Sequence, residues 1–385
     1  MKCASLYTYE IDHPEKALGE VKAQLDAKLK LLKYSVGVVM CHPEFIASGV
    51  LGCLSENLPF DLVGSTSSSQ CINGQAGEPI LTIFVMTADD VQFIAGVTSP
   101  VNDGIEGPLQ SSINKISPDQ PGSPSLILAF TPLLLPHSGE AYIRAWEQAI
   151  PNVPIFGPVT VDDSADSYED SQTLFRGGSY IDAVSFVLCY GNVNPRFIIG
   201  TLPVDKALPF IGTATKSSGT SVHEINDMNA RRYFDGIGTI EKFLLVPFAI
   251  HQKKRQDYDG IPVIRSMATF AEDGTAIFRG EVDQGSSFTM LACNDNDVLE
   301  TSRQKAEQID EMENVAGALL FSCIGRRMAT ITPNPLAELQ LVKDAISPDV
   351  PFMMGYAGGE MCPTSMTNGI PVNRFHNHSI IILVV

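Results

Sequence analysis

The chain has 385 residues, 44% hydrophobic and 18% charged, which is ample apolar material for folding and more length than one ordinary core uses. A formal charge of −18 excludes a general DNA or RNA binder, which needs clustered Lys and Arg against phosphates, and would be repelled by an anionic membrane surface. Cysteines stand at positions 3, 41, 53, 71, 189, 293, 323 and 362 without a Cys-x-x-Cys pair, so buried free thiols in a reducing compartment are expected and structural zinc is not.

Met1-Lys2-Cys3 leads quickly to Glu10, Asp12 and Glu15, without the apolar stretch of a signal peptide. The apolar run Ile380 to Val385 is far short of the roughly 20 residues of a spanning helix. A cytoplasmic protein without membrane insertion is therefore expected. Leu18, Val21, Leu25, Leu29 and Leu32 recur at helical spacing and predict a helix with a packing face.

One arrangement then occurs three times: apolar strand, helix, strand ending at Gly, polar loop, apolar strand. The first copy runs from the strand Ser35 to Cys41 through a helix from Pro43 to about Asn57. It continues with Pro59 to Gly64, a Ser-rich and Gly-rich loop from Ser65 to Gly77 expected to be flexible, and a strand from Ile80 to Thr87. The second runs from Ser125 to Phe130 through a helix at Ala141 to Ile150 and on to Val153 to Gly157. An acidic loop with Asp162, Asp163, Asp166, Glu169 and Asp170, expected to be solvated, leads to the strand Asp182 to Tyr190.

From Asn194 to Lys216, Pro195, Pro203, Pro209, Gly200 and Gly212 mark a change of character, and a domain boundary is placed near Asn192. A short strand (Thr220 to Glu224), a helix (Asn226 to Phe234) and segments at hairpin spacing follow: Lys242 to Ile250, Ile261 to Phe270, Thr275 to Phe278 and Ser287 to Cys293. Glu300 to Glu313 predicts a polar helix. The third copy runs from Gly317 to Cys323, through a helix near Leu336 to Ile346, to Val350 to Gly355, a Gly-rich turn Tyr356 to Glu360, and a last strand from His378 to Val385. The expected fold is α/β, two domains with mixed sheets covered by helices. Residues 1–34 give an N-terminal strand and amphipathic helix packing on the first domain, which spans 35–192, and the second spans 193–385.

Ala318-Leu-Leu-Phe-Ser-Cys-Ile-Gly-Arg326, Glu338, Gly355-Tyr-Ala-Gly-Gly-Glu360 and Arg374-Phe-His-Asn-His-Ser379 resemble the ordered motifs of the C-terminal domain of the FIST (F-box and intracellular signal transduction) family. Leu62-Val-Gly-Ser-Thr-Ser67 is similar to the Gly-centred turn of the N-terminal FIST domain. Ile261 to Arg265 and Gly280 to Gly285 resemble segments leading into the C-terminal motifs. The resemblance covers roughly Ser35 to Val385 and departs from the pattern at His376-Asn377-His378-Ser379, where members often show His-Asn-Thr, and at the charged insert His251 to Asp259. It implies a sensory module for a small molecule, amino acids being suggested ligands, that signals in trans to a histidine kinase or a cyclic-dinucleotide enzyme. Some free-standing members are described as haem-binding nitric oxide sensors, which makes haem b a candidate cofactor. A homodimer is left open.

Ligands of open α/β sheets sit beyond the carboxyl ends of strands, and both Cys323 to Arg327 and Tyr356 to Glu360 follow predicted strands. Arg326 and Arg327 are candidates to hold a carboxylate and Glu360 or Glu338 an ammonium group; the alternative is an internal Arg-Glu ion pair. Tyr356 is a candidate to stack on a ligand or simply to pack, and Gly358 to admit it close to the backbone. Arg265, Asn377 and Ser65 complete the candidate ligand set. His376 and His378, two apart, would point the same way on an extended strand, and with His223 and His251 they are the candidate haem ligands; the alternative for His376 is a core histidine tying down the last strand. Cys323 with His376 as base is a candidate nucleophile for a hydrolase or transferase, against the plainer reading of a small buried hydrophobe. Gly-x-Ser-x-Gly, a phosphate loop and His-Glu-x-x-His are absent, so no catalytic residue is expected.

Overall fold

The computed structural model describes residues 1–117, 122–134, 137–163, 170–238, 246–251, 262–329, 334–367 and 369–385. Asp166 and Glu169 of the acidic loop, Lys242 to Leu245, Ile261 and most of the charged insert lie outside the described residues.

Three six-stranded sheets share one plan. In the first unit, Tyr34–Cys41 pairs in parallel with Asp61–Thr66 and antiparallel with the closing strand Leu81–Ala88, which Lys2–Thr8 flanks. In the second, the same roles fall to Leu126–Phe130, Ile155–Val159, Ser185–Tyr190 and Gln92–Val97. In the third they fall to Ala318–Cys323, Phe352–Ala357, Ile380–Val384 and Arg196–Gly200.

What closes the molecule is an exchange of hairpins. Each second strand is followed by a hairpin that leaves its own sheet and joins another. Gln70–Ile72 and Gln75–Gly77 pair on Phe352–Ala357 of the third unit, with Gly355 opposite Gln70. Thr173–Phe175 and Gly178–Tyr180 pair on Asp61–Thr66 of the first. Gly359–Thr367 and Ile370–His376 pair on Ile155–Val159 of the second, with Glu360 opposite Pro158.

The strands are apolar on both faces because both are buried. Alternate residues such as Val36, Val38 and Met40, Leu126, Leu128 and Phe130, and Leu319 and Phe321 meet in one central core between the sheets. The opposite faces pack under a pair of helices each: Pro14–Lys28 with Val50–Asn57, Glu106–Ile116 with Gly139–Ala149, and Asp295–Asp310 with Ala337–Ala345. Leu18, Val21, Leu25 and Leu29 of the expected packing face are buried, whereas the helix ends at Lys28 and Leu32, beyond it, is only partly buried.

A β-barrel is inserted in the third unit between Arg196–Gly200 and Asp295–Asp310. Its strands run in the order Ala207–Ser218, Ser287–Leu291, Pro247–His251, Val263–Phe270, Ala276–Phe278 and Ser221–Ile225, and the long first strand bulges and bends to pair with both neighbours, closing the ring. Phe234, Phe248, Phe278 and Phe288 fill it, with Phe248 and Phe278 ring centroids 5.6 Å apart. The helix Ala230–Ile237 that delivers Phe234 starts at the Asn229 cap.

Several expectations need correction. The helix from Pro43 to Asn57 is broken into Glu44–Ala47 and Val50–Asn57 by Gly49, whose φ of 83° is left-handed. Ser65 to Gln70 is not a flexible loop: every residue is at most 1% exposed, because the segment crosses between two sheets. Asp162 is not solvated but 1% exposed and accepts a bond from Ser171. The Gly-rich turn is a crossing in which only Gly358 separates two strands, and the last strand starts at Ile380. Among the described residues no helix is long and apolar enough to cross a membrane.

Candidate functional site

The first strand of the third unit runs straight from Cys323 into the short helix Ile324–Ala329, and the final hairpin returns beside it through Asn377, His378 and Ser379. Cys323 N–H donates to the Ser379 carbonyl at 2.9 Å, and Ser379 Oγ donates to Glu360 Oε2 at 2.7 Å. Burial pushes the Glu360 carboxyl well above the usual carboxylate range, only partly opposed by the bond from Ser379 and by the neighbouring Cys323.

Next to this cluster lies a small cavity of about 20 Å3 lined by Leu133 of the second unit, Ser266 and Arg279 of the barrel, and Cys323, Gly358 and Asn377 of the third unit. A space of this size holds about one water molecule. Asn377 is 1% exposed and its Oδ1 has no hydrogen-bond partner among the described residues; the same holds for Glu360 Oε1 and for both ring nitrogens of His378. Buried polar atoms without partners are uncommon in native proteins, so their concentration beside one cavity marks it.

The remaining candidates fall elsewhere. Arg326 is fully buried, and Nε donates to Glu338 at 3.0 Å, Nη1 to the His378 carbonyl at 3.3 Å, and Nη2 to the Val298 carbonyl at 2.8 Å and Ser302 Oγ at 2.6 Å. Ser302 and Ser322 both donate to Glu338. The internal ion pair is thus what the fold makes of Arg326 and Glu338, and Tyr356 packs beneath them, its ring centroid 5.8 Å from the Arg327 guanidinium carbon. Arg327 reaches Ser68 Oγ at 3.1 Å and Glu78 at 2.8 Å. Arg265 is buried against Glu140 of the second unit, and Ser65 lies in a sheet opposite Thr173; neither lines the cavity.

His376 closes its strand opposite Glu360, whereas His378 has a left-handed φ of 50° in the following bend, so the period-two alignment that would present both to one metal is broken. Burial, aided by Arg265 for His376 and Arg326 for His378, holds both imidazoles down to about 3, hence neutral. The His378 ring rests on Gly325, where a Cβ would meet Cε1 at 2.9 Å. The neighbouring cavity of about 20 Å3 is far smaller than the several hundred Å3 of a typical cofactor pocket. His223 Nδ1 lies 3.0 Å from Thr275 Oγ1, and His251 is exposed at the end of its strand. Among the described residues no group of His, Cys, Asp and Glu is arranged to hold a metal ion.

Cys323 does not have the surroundings of a nucleophile. Burial, with the Glu360 carboxyl alongside, lifts its thiol well above the ordinary value, and neither neutral imidazole bonds to it in the described contacts. Iodoacetamide at pH 8 is therefore expected to label the partly exposed Cys53 well before Cys323, as read by peptide mass spectrometry; faster labelling of Cys323 would restore the nucleophile reading.

The residues missed by sequence reasoning are Ser266, Arg279 and Leu133, which reach the cavity from separate parts of the chain. Ser266 and Arg279 adjoin segments of the FIST resemblance, Ile261 to Arg265 and Gly280 to Gly285, and that adjacency was the one signal available.

A family model for the FIST N domain matches residues 35–228 and one for the FIST C domain matches residues 232–363. No curated protein matches the sequence at a significant level. Among solved structures, that of PurLQS from Thermotoga maritima is 12% identical and covers 99% of this chain and 72% of its own, with a TM-score of 0.20, too low to carry an argument. The two consecutive domain matches establish that the chain belongs to the FIST family, whose domains are associated with sensing in signal transduction.

Proposed function

We propose that this FIST protein is a small-ligand sensor whose site is the cavity between Leu133, Ser266, Arg279, Cys323, Gly358 and Asn377. The observation that carries the reading is the buried, unpartnered Asn377 Oδ1 in the cavity wall, which calls for a hydrogen-bond donor. Arg279, a permanently charged guanidinium, lines the same cavity. An amino acid or similar zwitterion suits that pair, its ammonium group on Asn377 and its carboxylate toward Arg279.

The cavity holds about one water as it stands, so a larger occupant has to part the three bodies that line it. Ligand binding is thereby converted into a change in how the barrel docks. The altered docking is read in trans, by a histidine kinase or a cyclic-dinucleotide enzyme.

A thermal-shift screen of the twenty amino acids at millimolar concentration tests this. At a hundred-fold excess over Kd, a ligand adds about 2.7 kcal/mol and a clear rise in Tm, and Asn377→Leu should abolish the rise. A screen in which no amino acid moves Tm, or in which Asn377→Leu responds like the wild type, removes the reading.

A further inference from the structure

The barrel residues that line the cavity are neighbours of residues that form a buried ionic joint. Ser266 and Arg279 line the cavity; Arg265 and Glu281 meet the helix Gly139–Ala149 of the second unit. Arg265 is fully buried, and Nη2 donates to Glu140 Oε1 at 2.5 Å, Nη1 to the Phe375 carbonyl at 3.1 Å and Nε to the Glu281 carbonyl at 3.4 Å. The Glu281 N–H donates to the same Glu140 oxygen at 3.2 Å. The Glu281 carboxylate accepts Ser138 Oγ at 3.0 Å and two parallel bonds from Arg144, at 2.8 and 2.6 Å.

Three chain segments therefore touch the joint and, one or two residues away, the cavity: Arg265 with Ser266, Glu281 with Arg279, and Phe375 with Asn377. A shift of any of them on one side moves the other side. The joint is also imperfectly satisfied, since Glu140 Oε2 is buried with no partner among the described residues. An alternative docking that gave this oxygen a partner would offset part of the cost of rearrangement.

We infer that the joint of Arg265, Glu140, Glu281 and Arg144 is the hinge that couples occupancy of the cavity to the docking of the barrel on the second unit. Arg265 and Glu140 are on this view positioning residues, which act on a ligand only through the segments they hold. The inference rests on the ligand reading of the cavity.

Hydrogen exchange read by mass spectrometry on the full chain separates the two. Arg144→Ala removes a half-exposed partner and should leave the fold intact, and Glu140→Gln keeps the shape of the buried side chain. In both, peptides covering 263–267 and 276–282 should exchange at least about two-fold faster, while 34–41 and 81–88 in the first unit keep their rates. With a bound amino acid, wild type should be protected both around Asn377 and in 263–267, and the variants around Asn377 alone. Wild-type exchange of the barrel peptides in both variants, or retained protection of 263–267 in them, overturns the hinge. Loosened barrel peptides with no amino acid protecting any part of the wild type overturn the coupling through the ligand reading instead.

Discussion

Replacing Arg326 with Ala is expected to cost about 3–5 kcal/mol of stability, the loss found when one member of a buried ion pair is removed. The guanidinium ties its own short helix to three other parts of the chain. It binds Glu338 on the helix Ala337–Ala345, Ser302 and the Val298 carbonyl on the helix Asp295–Asp310, and the His378 carbonyl ahead of the closing strand. Removing it leaves Glu338, 3% exposed, as a buried carboxylate with only hydroxyl donors. Arg326→Lys restores the charge but cannot reproduce the forked geometry, so most of the loss should remain. A double replacement of Arg326 and Glu338 by Met should cost less than Arg326→Ala, because no buried charge is stranded. Urea unfolding followed by circular dichroism measures this ordering; an Arg326→Ala midpoint equal to wild type would show that the pair contributes nothing.

The same cluster shows what the sequence could and could not tell. Strands with apolar runs and helices with helical spacing were legible because their burial is written in local periodicity: Ser35 to Cys41, Leu18 to Leu29 and Leu336 to Ile346 fall close to the observed elements. The hairpins were not legible. Thr173–Phe175 and Gly359–Thr367 are ordered by strands far away in the chain, and such a short or a Gly- and Pro-containing sequence looks like a loop until a neighbouring sheet edge gives the backbone its partners. The Ser-rich segment from Ser65 to Ser69 misled for this reason, since small hydroxyl side chains suit both a solvated loop and a tight buried crossing. At the site, Cys323, Gly358 and Asn377, three of the candidate ligand residues, line one cavity. Arg326, Glu338, Tyr356 and Arg265 were chosen by the same chemistry, but charge complementarity in a sequence does not say whether the complement is a ligand or another part of the fold. Here Glu338 and Glu140 are the complements.

Gly64→Ala is expected to be the most damaging single methyl in the protein. Gly64 lies opposite Val39 in the parallel pair of the first unit, and a Cβ there would come within 1.7 Å of the Val39 carbonyl oxygen, a backbone atom that cannot swing aside. The second unit repeats the situation, with a Cβ at Gly157 meeting the Ala129 oxygen at 2.0 Å. Both glycines stand where the second strand must hold its parallel neighbour on one side and an exchanged hairpin on the other, at Leu174 for Gly64 and Met361 for Gly157. Relief of the clash therefore requires separating strands across two units, for which about 4 kcal/mol or more is expected. Gly355 holds the corresponding place in the third unit, opposite Phe321, yet a Cβ there would meet side-chain atoms rather than backbone, the end of Met40 at 2.5 Å and Ser67 Oγ at 3.2 Å. Because Met adapts by rotation, Gly355→Ala should cost only about 1–3 kcal/mol. Expressing the two variants side by side and comparing their urea midpoints checks the contrast. Equal losses would mean that the carbonyl contact is not what requires glycine at these strand ends.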